Sequence, residues 1–176
     1  DAGTVLPSGE IGQIYFAQPE QDGSFQYYKE SEKTKNSQHP QHANWSTLGD
    51  IGYVNEEGYL FLTDRSSFMI ISGGVNIYPQ ETEDVLGEHP DVFDVAVIGV
   101  PNQDMGEEVK AVVQLNSGVS ASPEIEGQLI EFTRSKLTHY KCPKSVDFVD
   151  ELPRLPTGKL CKGDIRKPYW EQAVTL

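Results

Sequence analysis

Residues 66–115 read SSFMIISGGVNIYPQETEDVLGEHPDVFDVAVIGVPNQDMGEEVKAVVQL, and this stretch decides the fold. It begins with two short runs rich in β-forming residues, 68–71 and 75–77, on either side of Gly73-Gly74. Short apolar runs separated by two glycines are typical of a tight β-hairpin. We therefore expect a hairpin with the two glycines at its tip.

The stretch then predicts a helix followed by two strands. Pro79 suits the first turn of a helix, which should end near residues 87–90. The runs 92–100 and 109–115 are rich in Val and Ile, and the short link between them favours antiparallel pairing. Further on, Ser122 is a helix N-cap signal, a last short strand is expected at 145–149, and a tail rich in Pro, Gly and Lys follows.

Upstream of this stretch, the sequence favours mostly β structure. A turn and a strand are expected within 9–16, and another strand at 25–29. The runs 45–54 and 59–62 flank a polar turn that contains glycine, which predicts a second hairpin. The polar segment 30–44 is too hydrophilic to pack and is interpreted as a surface loop. His39 and His42 in this loop lack Cys or acidic neighbours that would favour a metal site.

Composition excludes several classes of protein. The chain has 176 residues, with 14 Lys and Arg against 27 Asp and Glu, which argues against a nucleic-acid surface. Residues 142–176 hold 6 basic and 5 acidic side chains, whereas residues 1–141 hold 8 basic and 22 acidic ones. An anionic ligand would therefore be drawn to the C-terminal part.

No apolar run approaches the ~20 residues of a membrane span, and no signal peptide is visible. Two cysteines form no disulfide framework, and we expect a cytoplasmic protein.

Four positions carry side chains or backbone suited to ligand chemistry. Asp50 lies at a hairpin edge, and Arg65 follows a strand. Gly73-Gly74 lets a ligand approach the backbone, since neither residue has a Cβ. Lys159 lies in LPRLPTGKL, a loop that its prolines stiffen. Each signal is weak alone. A Gly-Asp pair is more often part of an ordinary turn, and an Asp-Arg pair is more often a surface ion pair. A Gly-Gly pair usually forms only the turn of a hairpin, and a Gly-Lys pair usually lies in a solvated turn.

The order of four segments makes these signals specific. STLGDIGYVNEEGYLFLTDR, SSFMIISGGVNIYPQETEDVL, HPDVFDVAVIGVPNQDMGEEVKAVVQL and HYKCPKSVDFVDELPRLPTGKL follow one another along nearly the whole chain. Together they resemble the C-terminal portion of the adenylate-forming enzymes, the AMP-binding superfamily that includes the acyl-CoA synthetases. The order of the expected elements gives an α+β domain from about residue 66 onward. The resemblance implies that a small β-rich remnant of the large N-terminal domain precedes this compact α+β C-terminal domain. That domain would have an antiparallel-rich sheet with flanking helices.

The resemblance assigns roles to individual residues. Asp50 and Arg65 match the pair that holds the ribose hydroxyls of ATP or AMP, although Leu48 is inserted in one motif and Asp64 replaces a usual Gly in the other. Ser67 falls at the domain hinge, where Asp or Lys is usual. Gly73 and Gly74 match the loop that lines the pantetheine channel of coenzyme A. Lys159 matches the catalytic lysine, which bridges the substrate carboxylate and the α-phosphate. No metal ligand is assigned.

The same resemblance implies a domain plan and an activity. Residues 1–64 would end the AMP-binding N-terminal domain, 65–67 would form the hinge, and 68–176 the mobile C-terminal domain. The implied reaction joins a fatty or aromatic carboxylic acid to coenzyme A through an acyl adenylate, with ATP and Mg as cofactors. Alternatives are a ligase that does not use coenzyme A and a non-catalytic module that kept the fold.

The resemblance also concerns what lies outside this sequence. The family's phosphate loop and acid pocket belong to its N-terminal domain, and no segment here resembles either. We therefore expect a fragment that is inactive by itself and works with the N-terminal domain of the same protein. Candidates for contacts with coenzyme A phosphates are Lys141, Lys144 and Lys162, and an ordinary surface role is at least as well supported for each of them.

Overall fold

The computed structural model describes residues 3–19 and 25–174. The chain divides into two compact units, the first ending at Ser67 and the second beginning at Phe68. The division lies beside the segment in which the sequence predicts a hinge, and hinge motion itself stays a prediction. The α+β class is confirmed, since helices and mainly antiparallel strands share the chain.

The first unit contains short strands arranged in two small sheets. Its described strands are β1 (Gly12–Gln13), β2 (Phe16–Ala17), β3 (Trp45–Ser46), β4 (Asp50–Val54) and β5 (Leu60–Arg65). β1, β4 and β5 form one antiparallel sheet in that order, and β2 pairs with β3. The hairpin predicted from the runs before and after the polar turn is confirmed as β4 and β5.

The polar segment 30–44 is not a loop throughout, so that prediction is wrong in part. It contains the six-residue helix α1 (Ser31–Asn36), none of whose side chains is buried. Local contacts stabilise this helix, since Thr34 Oγ1 donates to Glu30 O at 3.0 Å and Lys33 Nζ lies 3.4 Å from the Glu30 carboxylate. A helix without an apolar face leaves no periodic signal in the sequence.

The strand predicted at 25–29 is also wrong. These residues lie in coil and a turn, and Lys29 has a φ of +58°, which an extended strand excludes. The Tyr27 N–H donates to Thr34 Oγ1 at 2.9 Å instead of to a neighbouring strand, and the Phe25 and Tyr27 rings pack edge to face at 5.3 Å. Aromatic residues favour strands, but here a local turn provides their contacts.

The second unit is built on one sheet. Its elements are β6 (Ile70–Ser72), β7 (Val75–Ile77), α2 (Pro79–Gly87), β8 (Val92–Asn102), β9 (Gly106–Leu115), α3 (Pro123–Lys136), β10 (Ser145–Phe148) and α4 (Lys162–Val174). β8 pairs with β9 along its length, β10 pairs with β9 on the other side, and the β6–β7 hairpin joins β9 at a single bridge. Only the β9–β10 pairing is parallel among these described strands, as expected for an antiparallel-rich sheet.

Helices cover both faces of this sheet. One buried cluster joins side chains of β8 and β9 to Leu86 of α2 and Leu129 of α3. A second cluster on the other face joins Ile98 and Val112 to Ile165 of α4. A strand buried on both faces needs apolar residues at consecutive positions, which explains the continuous apolar run in β8.

The starts of α2 and α3 agree with their sequence signals. Pro79 occupies the first turn of α2, where its missing N–H has no intrahelical partner to lose. Ser122 caps α3, since its Oγ accepts the Ile125 N–H at 3.4 Å. Among the helices of the described residues, none is long and apolar enough to cross a membrane.

Helix α4 lies where the sequence predicts only a tail. It continues through Pro168, although proline removes one backbone hydrogen bond from a helix interior. Tertiary contacts hold it, with Ile165 buried against the sheet and Trp170 Nε1 donating to Gly99 O at 3.1 Å. Sequence periodicity missed this helix because its apolar residues do not form a continuous helical face.

Candidate functional site

Asp50 and Arg65 form a hydrogen-bonded ion pair in the first unit. They lie opposite each other in the β4–β5 register, and Arg65 Nε donates to Asp50 Oδ1 at 3.1 Å. The Asp50 side chain is 19% exposed and that of Arg65 48%, so both can reach a ligand. A carboxylate acceptor beside guanidinium donors suits two vicinal hydroxyls. The structure brings together the two residues predicted to hold ribose, and ribose binding itself stays a prediction.

The turn before Asp50 is held by Thr47. Its buried Oγ1 accepts the Gly49 N–H at 3.0 Å and the Gln13 side-chain amide at 3.2 Å. Gly49 has a φ of +84°, a conformation that side chains with a Cβ rarely adopt. The inserted Leu48 is 55% exposed, so the turn accommodates it without displacing buried side chains.

A β-bulge sets the register that places Arg65 opposite Asp50. The pairing runs from Ile51 with Asp64 to Gly52 with Leu62, which leaves one extra residue on β5. A Cβ on Gly52 would lie 2.2 Å from Phe61 O, so only glycine fits this close approach. Asp64 Oδ1 accepts the Arg65 N–H at 2.6 Å. Asp64, which stands where the family usually has glycine, therefore has a local structural role.

Ser67 closes the first unit. It is exposed and lies in the short 3₁₀ helix Ser66–Phe68, which follows Arg65 directly. The Ser66 N–H donates to Gly49 O at 2.8 Å, so this turn is tied to the loop that precedes Asp50. Serine carries no charge, and its hinge role stays a prediction.

The Gly73-Gly74 turn joins β6 to β7 in the second unit. Both glycines have positive φ, +55° and +80°, as a two-residue type I′ turn requires. The Gly73 N–H donates to Met105 O at 2.9 Å, and a Cβ there would meet the Met105 side chain at 2.6 Å. A Cβ on Gly74 would meet nothing within 4 Å. One glycine is therefore packed, while the other presents open backbone.

Lys159 lies on an exposed hairpin between β10 and α4. Arg154 and Leu160 form an antiparallel bridge, and the Leu155 N–H donates to Lys159 O at 2.9 Å. Gly158, at a φ of +85°, makes the tight turn and donates its N–H to Leu155 O at 2.8 Å. The Lys159 side chain is exposed and forms no ion pair within the part of the chain that the structure describes. A hydrogen-bonded hairpin thus presents a free ammonium group.

The three lysines considered for coenzyme A phosphates differ in their surroundings. Lys162 is buried, and its Nζ lies 2.8 Å from Glu83 Oε1, so the suggestion of a phosphate contact is wrong for this residue. Lys141 is half-buried and paired with Glu81. Lys144 is exposed and has no ion-pair partner among the described residues, and its role stays a prediction.

Sequence reasoning missed an arginine–carboxylate pair that contacts the Lys159 hairpin. Arg154 binds both carboxylate oxygens of Asp94 on β8, with distances of 2.6 to 3.0 Å, and its Nη1 donates to Gly158 O at 2.7 Å. The two residues are 60 positions apart, so no local pattern could have connected them.

A second missed network links α4 to the strand before the glycine turn. Glu107 Oε1 accepts from Arg166 at 2.5 Å, and Glu107 Oε2 accepts the Ile71 N–H at 3.1 Å. Arg166 Nε also donates to Gly99 O at 3.2 Å, and its guanidinium lies 4.6 Å from the Trp170 ring. One carboxylate therefore joins the C-terminal helix to β6.

Asp147 joins β9, β10 and α4 through a third network. Its Oδ1 lies 2.8 Å from Lys110 Nζ, and Tyr169 donates to its Oδ2 at 2.5 Å. Partial burial raises the pKa of Asp147, but the hydrogen bonds from Lys110 and Tyr169 outweigh that effect and lower its pKa. Burial and the same hydrogen bond raise the pKa of the Tyr169 hydroxyl. This charged network supports α4 structurally.

His39 is buried, which corrects the interpretation of its segment as lying at the surface throughout. It is buried between the rings of Tyr15 at 4.7 Å and His42 at 4.8 Å, and its Nδ1 accepts the N–H groups of Gln41 and His42. Burial and the neighbouring His42 lower the pKa of His39. No group of three or more candidate metal ligands occurs in residues 3–19 and 25–174.

Comparison with known proteins places this fold in a class. Residues 81–159 match the family model described as the AMP-binding enzyme C-terminal domain. The structure of ATP-bound MatB from Rhodopseudomonas palustris superposes with a TM-score of 0.80 and 37% identity, covering 93% of this chain and 31% of that one. The second unit is therefore a domain of this type.

Curated relatives agree with that class. The long-chain-fatty-acid–CoA ligase FadD13 of Mycobacterium tuberculosis is 44% identical over 126 residues, which are 71% of this chain and 24% of that protein. The 2-succinylbenzoate–CoA ligase of Geobacillus kaustophilus is 46% identical over 130 residues, 73% of this chain and 26% of that protein. The chain belongs to the adenylate-forming enzymes of the AMP-binding superfamily and corresponds to their C-terminal portion. It spans about a quarter of the length of these relatives.

Proposed function

We propose that the protein containing this chain is an AMP-forming acid–CoA ligase. It would convert a carboxylic acid, ATP and coenzyme A to acyl-CoA, AMP and pyrophosphate through an acyl adenylate. Both curated relatives described above carry CoA-ligase names, and a structural relative is bound to ATP. Because the chain covers only a part of these proteins, the whole reaction is inferred.

The observation that carries this proposal is the exposed, unpaired ammonium group of Lys159 on its hydrogen-bonded hairpin. In the first step a carboxylate oxygen attacks the α-phosphorus of ATP, and pyrophosphate leaves. Two anions must approach each other, so a positive charge placed between them stabilises the transition state. A lysine already neutralised by a neighbouring carboxylate would serve this step poorly.

Asp50 and Arg65 support nucleotide binding in the first unit. With Asp50 accepting from the ribose hydroxyls and Arg65 supplying donors, the pair would fix the sugar and so orient the α-phosphate for in-line attack. Mg²⁺ would neutralise phosphate charge, and we assign its binding mainly to the N-terminal domain of the same protein.

Gly73-Gly74 supports the second step. The thiol sulfur of coenzyme A attacks the acyl carbonyl carbon, the bond to the phosphate oxygen breaks, and AMP leaves with that electron pair. Gly74 is exposed, and a Cβ there would meet none of the described atoms within 4 Å, which suits the passage of a narrow pantetheine arm. Movement at 65–67 would exchange the Lys159 hairpin for this turn between the two steps.

The names of the relatives also suggest the substrate class. One relative is named for long-chain fatty acids and the other for the aromatic acid 2-succinylbenzoate. We propose a fatty or aromatic acid as substrate and a cytoplasmic location. A ligase that transfers the acyl group to an acceptor other than coenzyme A is the alternative, and release of AMP from supplied acyl adenylate on addition of coenzyme A separates the two.

The deciding experiment is Lys159→Ala in the complete gene product. Pyrophosphate exchange into ATP, measured across a panel of acids, should fall by about 100- to 1,000-fold, because one charge contact to the transition state is lost. Thioester formation from supplied acyl adenylate should stay within a few-fold of wild type. Lys167→Ala, which removes an exposed lysine of α4, is the matched control and should change neither rate. Survival of both half-reactions in Lys159→Ala would overturn the assignment.

A further inference from the structure

We propose that Arg154 and Asp94 are positioning residues for Lys159. Their two-pronged ion pair anchors the 153–161 hairpin to β8 and so fixes the position of the Lys159 backbone, from which the side chain extends. The inference rests on the proposed function, in which Lys159 acts in adenylate formation. It concerns two residues to which the resemblance assigned no role.

The geometry of the pair is unusually complete for a surface contact. Arg154 Nε lies 3.0 Å from Asp94 Oδ2, and Arg154 Nη2 lies 2.8 Å and 2.6 Å from Oδ1 and Oδ2. Single-contact surface ion pairs add little to stability, whereas two-pronged arginine–carboxylate pairs fix orientation as well as distance. The Asp94 side chain is 21% exposed and that of Arg154 41%, so solvent only partly screens the contact.

Asp94 is itself held in place. It follows an irregularity in the β8–β9 register, where Phe93 is displaced outward and 67% exposed. Its Oδ1 also accepts the Val95 N–H at 2.9 Å, which restricts carboxylate rotation. The next residues, Val95 and Ala96, are buried on opposite faces of the sheet. Asp94 therefore lies on a strand whose next two residues are buried in both clusters.

Arg154 reaches from this anchor to the residue before the lysine. Its Nη1 donates to Gly158 O at 2.7 Å, and its backbone bridges Leu160 on the other side of the turn. The peptide group that links Gly158 to Lys159 is thus held by a side chain bonded to the sheet. Without the guanidinium, the described hydrogen bonds of this turn would all lie within the hairpin, including the weak one from Cys161 Sγ to Lys159 O at 3.9 Å, so the turn could shift relative to β8.

The test measures both half-reactions in the complete gene product with Arg154→Ala, Asp94→Ala and the double variant. We expect pyrophosphate exchange to fall about 10- to 100-fold in each, because displacing a catalytic group by about 1 Å has effects of this size. The double variant should be no slower than the single ones, since both remove the same contact. Formation of acyl-CoA from supplied acyl adenylate should stay within about threefold.

Two further variants separate positioning from charge. Arg134→Ala removes an exposed arginine that pairs with Glu131 on α3, and should leave both half-reactions unchanged. Arg154→Lys keeps the charge but cannot bind both carboxylate oxygens and Gly158 O together, so it should restore less than a third of the lost exchange rate. Full restoration by lysine would overturn the geometric role.

Hydrogen–deuterium exchange of peptide 153–161 in the same proteins gives a readout that does not depend on activity. The amides of Leu155, Gly158 and Cys161 are hydrogen-bonded within the hairpin and should exchange at least tenfold faster in Arg154→Ala. Unchanged protection together with unchanged pyrophosphate exchange would overturn the proposal, and so would equal loss of both half-reactions. If the wild-type protein forms no adenylate with any acid, the proposed function fails, and the amide exchange alone decides whether Arg154 holds the hairpin.

Discussion

Glu83 shows how one residue can connect three elements. Its Oε1 on α2 accepts the Val97 N–H of β8 at 2.6 Å and lies 2.8 Å from Lys162 Nζ at the start of α4. Both charged side chains are 9% exposed, and the Phe68 ring lies 5.3 Å from the ammonium group. The pair holds the base of the segment that carries Lys159, so its role is structural and not one of phosphate binding.

Lys162→Met should therefore destabilise the second unit. Removing one partner of a buried ion pair leaves a buried carboxylate without its counter-charge, which costs about 3–5 kcal/mol. Chemical denaturation should show this loss, whereas Lys144→Met at an exposed site should change stability by less than about 0.5 kcal/mol. A Lys162→Met protein as stable as wild type would contradict the structural role of the pair.

At the scale of elements, the β4–β5 hairpin depends on one glycine. The bulge between Ile51 and Gly52 shifts the register by one residue, and this shift places Arg65 opposite Asp50. Register has a period of two, so a slip would turn one of the two side chains to the other face of the sheet. The candidate ribose site thus depends on backbone geometry that lies two residues away from Asp50.

Gly52→Ala should disturb this hairpin. The added methyl group would lie 2.2 Å from Phe61 O, and relieving that clash costs roughly 1–3 kcal/mol. Amide exchange should rise at Asp50–Val54 and Leu60–Arg65 and stay unchanged in the second unit. Gly127→Ala on the exposed face of α3 meets no atom within 4 Å and should stabilise the protein by about 0.5–1 kcal/mol. Unaltered protection of β4 in Gly52→Ala would contradict this account.

At the scale of the whole molecule, the candidate groups belong to different units. Asp50 and Arg65 lie in the first unit, whereas Gly73-Gly74 and Lys159 lie in the second. The curated relatives are about four times as long as the part that matches here. Even if these groups bind ribose and the α-phosphate as proposed, they supply neither a pocket for the acid nor donors for the β- and γ-phosphates.

The 176-residue chain by itself should therefore not turn over. Incubation with ATP, Mg²⁺ and a panel of fatty and aromatic acids should release no pyrophosphate above a buffer blank, measured with a coupled phosphate assay. The complete gene product, tested beside it, should release pyrophosphate with at least one acid. Release by the isolated chain would show that its own residues suffice for adenylate formation.

The sequence by itself determined the features that depend on neighbouring residues. The two hairpins, the starts of α2 and α3 and the α+β class were predicted, because turn glycines, capping residues and strand runs act over a few positions. The family was recognised from the resemblance of four segments in order. Tertiary structure decided the rest. Helix α4 and the pairs Arg154–Asp94 and Lys162–Glu83 join segments far apart in the chain, and α4 has no continuous apolar face. Such contacts exist only after the sheet has formed, so no local pattern encodes them.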